Sequence, residues 1–155
     1  MMTPEQKKVR LAAMNLLSYR EHSRKEIRAK LRKKDYDDDL IDIAIESLCA
    51  DDLLSEVRFA EGYIRYRSTK GYGPQRISLE LIERGLVSEL IDAHLNPSDQ
   101  IWFELVDAVA KKKFGPEPPV DFESRCKRMR FLQYRGFTNA QISVVFDDEY
   151  KQVKK

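Results

Sequence analysis

The sequence predicts an all-α fold of three tandem three-helix repeats forming an elongated, curved array. Apolar residues recur three and four positions apart, with no sustained alternation of the kind a strand needs. Helix starts and stops are written at regular intervals. The chain also aligns with itself when shifted by about 50 residues, the mark of a repeat architecture.

The first repeat is expected over residues 1–52. Thr3 with Gln6 and Ser23 with Glu26 form boxes in which each partner can satisfy a free N–H at a helix start. The first box opens a helix carrying Val9, Ala13, Leu16 and Leu17, and the second opens one carrying Ile27 and Leu31. Asp38 is read as the start of a third helix, with Ile41, Ile45 and Leu48 on its apolar face. The second repeat, 53–95, has starts at Ser55, at Gly73 before Pro74, and at Ser88. The third repeat, 96–155, has starts at Asn96 before Pro97 and at Asp121, and a third box in Thr138 with Gln141. It carries an insert, Glu117 to Val120, between its first two helices. Stops are marked by Gly71, Gly85, Gly115 and Gly136, where a left-handed residue is wanted, and by Pro116 just past one of them.

The self-alignment is specific. Leu31 falls on Leu81 and Leu132, Tyr36 on Leu86 and Phe137, Ile41 on Ile91 and Ile142, and Ile45 on Leu95 and Phe146. Gly85 and Gly136 correspond, with Asp35 at that place in the first copy. Each copy reads as a long helix, a second helix and a short third one whose apolar face closes over the other two. A repeat this small is marginal alone, so neighbouring copies are expected to share apolar surface.

The 155 residues are 42% hydrophobic and 35% charged with a formal net charge of +2, so any electrostatic binding must come from local patches. Those patches recur. Arg20, Arg24, Lys25, Arg28, Lys30, Arg32, Lys33 and Lys34 precede Asp35, Asp37, Asp38, Asp39, Asp42 and Glu46. Arg65, Arg67, Lys70 and Arg76 precede Glu80, Glu83, Glu89 and Asp92. Lys111 to Lys113, Arg125, Lys127, Arg128, Arg130 and Arg135 precede Asp147, Asp148 and Glu149.

Several function classes are disfavoured. No stretch approaches the ~20 apolar residues of a membrane span and the N-terminus has no apolar signal region, so a cytoplasmic protein with no membrane partner is expected. Cys49 and Cys126 are isolated thiols, expected reduced and buried, and suggest neither a disulfide framework nor a zinc site. His22 and His94 lack metal-ligand spacing and are read as structural or surface residues. Lys70-Gly71-Tyr72-Gly73-Pro74 lacks the phosphate-loop pattern and reads better as a turn between helices, with Tyr72 exposed on it. No catalytic residue, metal or cofactor is indicated.

The basic block of the first copy reads equally as a solvated helix face or a binding surface. In the other two copies the basic residues alternate with aromatics: Tyr63, Arg65, Tyr66, Arg67, Lys70, Tyr72 and Arg76, then Arg128, Arg130, Phe131, Tyr134 and Arg135. Phe59 and Phe131 are assigned to the core. Arginine beside exposed tyrosine is the composition of interface hot spots and of single-strand platforms.

At this point the sequence resembles the RecX family of recombination regulators. The central match is Phe59-Ala60, Tyr63-Ile64, Lys70-Gly71-Tyr72-Gly73-Pro74, Arg76-Ile77, Glu80-Leu81 and Gly85-Leu86. Flanking matches are Tyr19-Arg20, His22-Ser23, Glu26-Ile27 and Lys30-Leu31 upstream, and Lys127, Arg130-Phe131-Leu132, Arg135-Gly136-Phe137 and Ile142 downstream. The resemblance implies a non-enzymatic regulator that lies in the groove of the RecA filament on DNA. There it would suppress ATP hydrolysis, strand exchange and co-protease activity, and so modulate repair and the SOS response. Contact with RecA, and with single- or double-stranded DNA, is assigned to Arg65, Arg67, Lys70, Tyr72, Arg76, Lys127, Arg128, Arg130 and Arg135, in a protein acting as a monomer. The alternative is a helix-turn-helix-like module that binds DNA without RecA.

Overall fold

The computed structural model describes residues 1–146, and the acidic run Asp147, Asp148 and Glu149 lies outside the described residues. All regular structure among them is α-helical, in three successive triplets. These are α1 (Pro4–Tyr19), α2 (Arg24–Lys33) and α3 (Asp38–Ala50); α4 (Glu56–Thr69), α5 (Pro74–Glu83) and α6 (Ser88–His94); and α7 (Gln100–Phe114), α8 (Phe122–Tyr134) and α9 (Asn139–Val145). No described helix is long and apolar enough to cross a membrane.

All three capping boxes form, each side chain accepting from the backbone N–H three residues on while Gln6, Glu26 or Gln141 reaches back. Three starts differ from the sequence reading, the first being Ser88, which is already the first residue of α6, with Val87 before it. Asp37, not Asp38, is the residue before α3, and its side chain makes no capping bond. The helix expected at Asn96 begins later: the Asn96 side chain accepts from Ser98 N–H in a local turn, and Asp99 caps α7. The third helix is also not short everywhere, since α3 has 13 residues against 10 in α2.

The helix ends repeat the same geometry. Asp35, Gly85 and Gly136 have φ of 64°, 91° and 97°. After each, a backbone N–H returns to a carbonyl five residues back: Tyr36 to Leu31, Leu86 to Leu81 and Phe137 to Leu132, at 3.4, 3.2 and 3.2 Å. The repeat-equivalent apolar residues are buried in every copy except at Tyr36, which is half-buried.

By compactness the chain divides into two units, Met1–Tyr63 with Leu81–Ile91, and Ile64–Glu80 with the chain from Asp92 on. The core of the first unit joins Val9, Ala13, Ile27, Leu31, Ile41, Ile45, Leu48 and Leu54. That of the second joins Val106, Ala110, Leu132, Phe137, Ile142, Val145 and Phe146. Phe59 is buried as expected, but Phe131 is only half-buried, and so are the free thiols Cys49 and Cys126. His22 is buried in the first unit, its Nδ1 2.9 Å from the Arg20 carbonyl and its Nε2 2.9 Å from Lys30 Nζ. A neutral ring that donates at Nδ1 and accepts at Nε2 satisfies both partners.

Candidate functional site

The second unit gathers the sequence-predicted cations around one ring. At the end of α4, Gly71 takes a left-handed φ of 88°, and Tyr72 N–H bonds the Arg67 carbonyl at 3.1 Å. That turn carries the Tyr72 ring back against its own helix, so Tyr72 is half-buried rather than exposed. Three guanidinium carbons lie over it: Arg67 at 3.8 Å, Arg76 at 4.6 Å and Arg135 at 4.7 Å from the centroid. The negative face of an aromatic ring attracts each of them.

Two glycine turns, far apart in sequence, hold this arrangement together. Gly73 N–H donates to the Arg135 carbonyl at 2.7 Å and Gln75 N–H to the Gly136 carbonyl at 2.9 Å. Two N–H groups at the start of α5 thus meet carbonyls just past the end of α8, which also sets opposite ends of two helix dipoles together. The approach leaves no room for side chains: a Cβ on Gly73 would lie 2.6 Å from the Gly136 carbonyl and Phe137 nitrogen, and one on Gly136 would lie 2.6 Å from the Arg76 nitrogen. The glycines therefore do not serve only as local helix punctuation. Gly73 in particular is required by a tertiary contact.

Side chains lock the same joint. Arg135 Nη1 donates to the Lys70 carbonyl at 3.0 Å, and Arg76 Nη1 to the Tyr134 carbonyl at 3.2 Å. Arg67 makes a two-pronged pair with Glu80, both bonds 2.9 Å, and Arg76 Nε lies 3.6 Å from the same carboxylate. Four cations, counting Lys70, share Glu80 as the one carboxylate with a described pair in the cluster. Beside them stand two exposed rings, Tyr134 with Arg76 at 4.9 Å and Tyr66 with Lys70 at 5.7 Å. Such a surface offers pre-ordered donors to carboxylate or phosphate groups and amphipathic rings for packing.

Of the nine residues singled out from the sequence, the structure brings together Arg67, Lys70, Tyr72, Arg76 and Arg135. Arg128 goes elsewhere, donating to the Glu117 carbonyl at 2.8 Å and lying 5.1 Å from the Phe114 ring, so it steadies the loop before α8. Arg65, Lys127 and Arg130 are exposed and make no ion pair among the described residues. Glu80 and Tyr134, named in the acidic run and in the arginine–aromatic alternation, were not assigned as contacts. The i, i+4 spacing of Arg76 and Glu80 and the adjacency of Tyr134 to Arg135 were the available signals. Among the described residues no cluster of three or more potential metal ligands occurs.

Family models for the first, second and third three-helix domains of RecX match residues 10–48, 55–95 and 99–146. The regulatory protein RecX of Pseudomonas entomophila is 46% identical over 134 residues, 86% of each chain. The chain belongs to the RecX family. The RecX of Pseudomonas putida is likewise 46% identical, over 83% of each chain. The crystal structure of RecX from Lactobacillus salivarius matches with a TM-score of 0.81 at 26% identity, covering 97% of this chain and 99% of that one. The Tyr72 cluster is built from parts of the second and third RecX domains, which explains why its two glycine turns fall in separate family models.

Proposed function

We propose that this RecX-family chain binds the RecA filament on DNA and restrains its ATP hydrolysis, strand exchange and co-protease activity. It would thereby modulate recombinational repair and the SOS response in the cytoplasm. The protein acts as a monomer, not as an enzyme, with the repeats 1–52, 53–95 and 96–155 as successive binding modules. The observation that carries this reading is the Tyr72 cluster: four cations with one paired carboxylate, held rigid by backbone contacts and flanked by exposed Tyr66 and Tyr134. A patch of fixed arginines loses little side-chain entropy on docking, and exposed tyrosines supply anchoring area. A partner that spans subunits of a polymer would hamper the motions linked to nucleotide turnover.

Single-strand-dependent ATP hydrolysis by RecA, measured with substoichiometric amounts of this protein, tests the proposal. The wild-type chain should inhibit. A Lys70→Glu, Tyr134→Ala double variant, altered at exposed positions, should need about 10-fold more protein, the equivalent of roughly 1.4 kcal/mol. Absence of inhibition at any ratio overturns the reading. Tight binding to DNA alone, falling by about one log unit per log unit of salt for each phosphate contacted, would favour a RecA-independent DNA-binding role instead.

A further inference from the structure

Beside α7 the second unit opens a groove of about 400 Å³. Its floor is apolar, with Leu105 and Val109 from α7 and Phe131 from α8, all half-buried. Its rim is cationic, with Lys70, Lys112, Lys113 and Arg135, and no carboxylate lines it. None of the four makes an ion pair among the described residues, whereas the neighbouring Lys111 is matched by Asp107 at 2.9 Å. Lys113 and Arg135 instead lie 5.3 and 5.2 Å from the Phe131 centroid.

The two halves of this lining constrain the occupant together. An apolar floor alone suits any hydrophobic group, and a ring of cations alone suits any polyanion. Nucleic acid strands are held on basic grooves by stacking bases on open aromatic faces. Here two of the three floor residues are aliphatic, and the one ring already attracts two cations. An aliphatic floor inside a cationic rim is complementary to a peptide with one large apolar side chain flanked by carboxylates. The volume lies within the ~300–1,000 Å³ range of sites that enclose a compact ligand.

We propose that this groove is a docking site for an acidic peptide segment that inserts a single large apolar residue between α7 and α8. Its carboxylates pair with Lys112 and Lys113 on one side and with Lys70 and Arg135 on the other. Lys70 and Arg135 are shared with the Tyr72 cluster, but the inference rests on the groove's own lining and is read without RecA, so its failure is distinguishable from failure of the filament reading.

The test uses the full chain and a fluorescein-labelled synthetic peptide of one phenylalanine between two runs of three aspartates. Controls are the same peptide with alanine for phenylalanine and an oligothymidylate of equal net charge. Fluorescence anisotropy should show the phenylalanine peptide binding at least about 10-fold more tightly than either control, the share expected for one buried aromatic ring. Ala108→Trp fills the groove from an exposed position, and Lys112→Glu reverses a rim charge. Each should weaken peptide binding about 10-fold while the thermal transition stays in place. Should Ala108→Trp fail to fold, Lys112→Glu alone decides. Three results overturn the proposal: equal affinity for the alanine peptide or the oligonucleotide, unchanged binding by the variants, or a concentration-dependent dimer that Ala108→Trp abolishes, which would assign the groove to a second copy.

Discussion

In the first compact unit every arginine has a carboxylate partner: Arg10 with Asp51, Arg20 and Arg84 with Glu26, Arg24 with Glu46, Arg28 with Asp42, Arg32 with Asp38, and Arg58 with Glu21 and Asp52. In the second unit Arg67, Arg76, Arg125, Arg128 and Arg135 lie over aromatic rings, as only Arg84 over Tyr63 does among the arginines of the first, and only Arg67 and Arg76 have a described ion pair, both with Glu80. Much of the difference lies in where the acids stand. In the first unit α2 carries cations and the packed α3 carries anions, so several basic side chains are neutralised across that interface. Around Tyr72 the packed partner is the end of α8, which brings Arg135 in place of a carboxylate. The same alternation of basic and acidic runs thus yields a charge-matched surface in one unit and surplus positive charge in the other. Surplus charge on ordered arginines is available to a partner, while a matched pair must first be separated.

Breaking the joint between the glycine turns should erase the contrast most completely. Gly136→Ala adds a Cβ at a left-handed φ and against backbone, and should cost about 3 kcal/mol or more in urea unfolding. The proposed inhibition of RecA should fall with it. Tyr72→Ala removes the ring shared by three guanidinium groups and should cost roughly 2 kcal/mol, with Tyr72→Phe within a few tenths of wild type. Both are read from the same denaturation curves.

The first unit should respond instead to pH. Burial holds the His22 imidazole below its usual range, helped by the Arg20 and Lys30 charges and opposed by the hydrogen bond to the Arg20 carbonyl. Because the folded value is depressed, the unfolded chain takes up this proton first as pH falls. Stability is therefore full above the unfolded value near 6.5 and declines progressively below it, toward the folded value. Urea midpoints measured between about pH 7.5 and 5.5 should drop for wild type and flatten for His22→Gln.

Smaller effects sharpen the comparison further. Asp35 stands at φ 64° where Gly85 and Gly136 occupy the other copies, so Asp35→Gly should raise stability by about 0.5–1 kcal/mol in thermal unfolding. Arg28→Ala removes a solvent-exposed pair with Asp42 and should change stability by no more than about 0.5 kcal/mol, leaving the proposed inhibition of RecA intact. Strong loss of inhibition in Arg28→Ala would show that charge matching in the first unit does not remove it from the binding surface.

What could be read along the chain was whatever depends on near neighbours. Thr3, Ser23 and Thr138 announce helix starts because the donors they satisfy lie three residues away. Asp35, Gly85 and Gly136 announce the stops because the left-handed turn is local. Asn96 misled because the same side chain that can cap a helix can also close a turn two residues on, and Asp99 was left to cap α7. Arg128 misled because nothing in its neighbourhood foretells that the Glu117 carbonyl comes within reach.

Repeat and helical class were thus determined by the sequence itself, since period and capping are properties of short windows, whereas the gathering of Arg67, Lys70, Tyr72 and Arg76 with Arg135 needed the joint between α5 and the end of α8. The pairing of each charge was decided only in three dimensions. Whether a guanidinium meets a carboxylate or a ring depends on which helix face lies opposite, and that face arrives from residues dozens of positions away. Gly73 and Gly136 make the point most directly: one lacks a side chain because the other's backbone occupies the space.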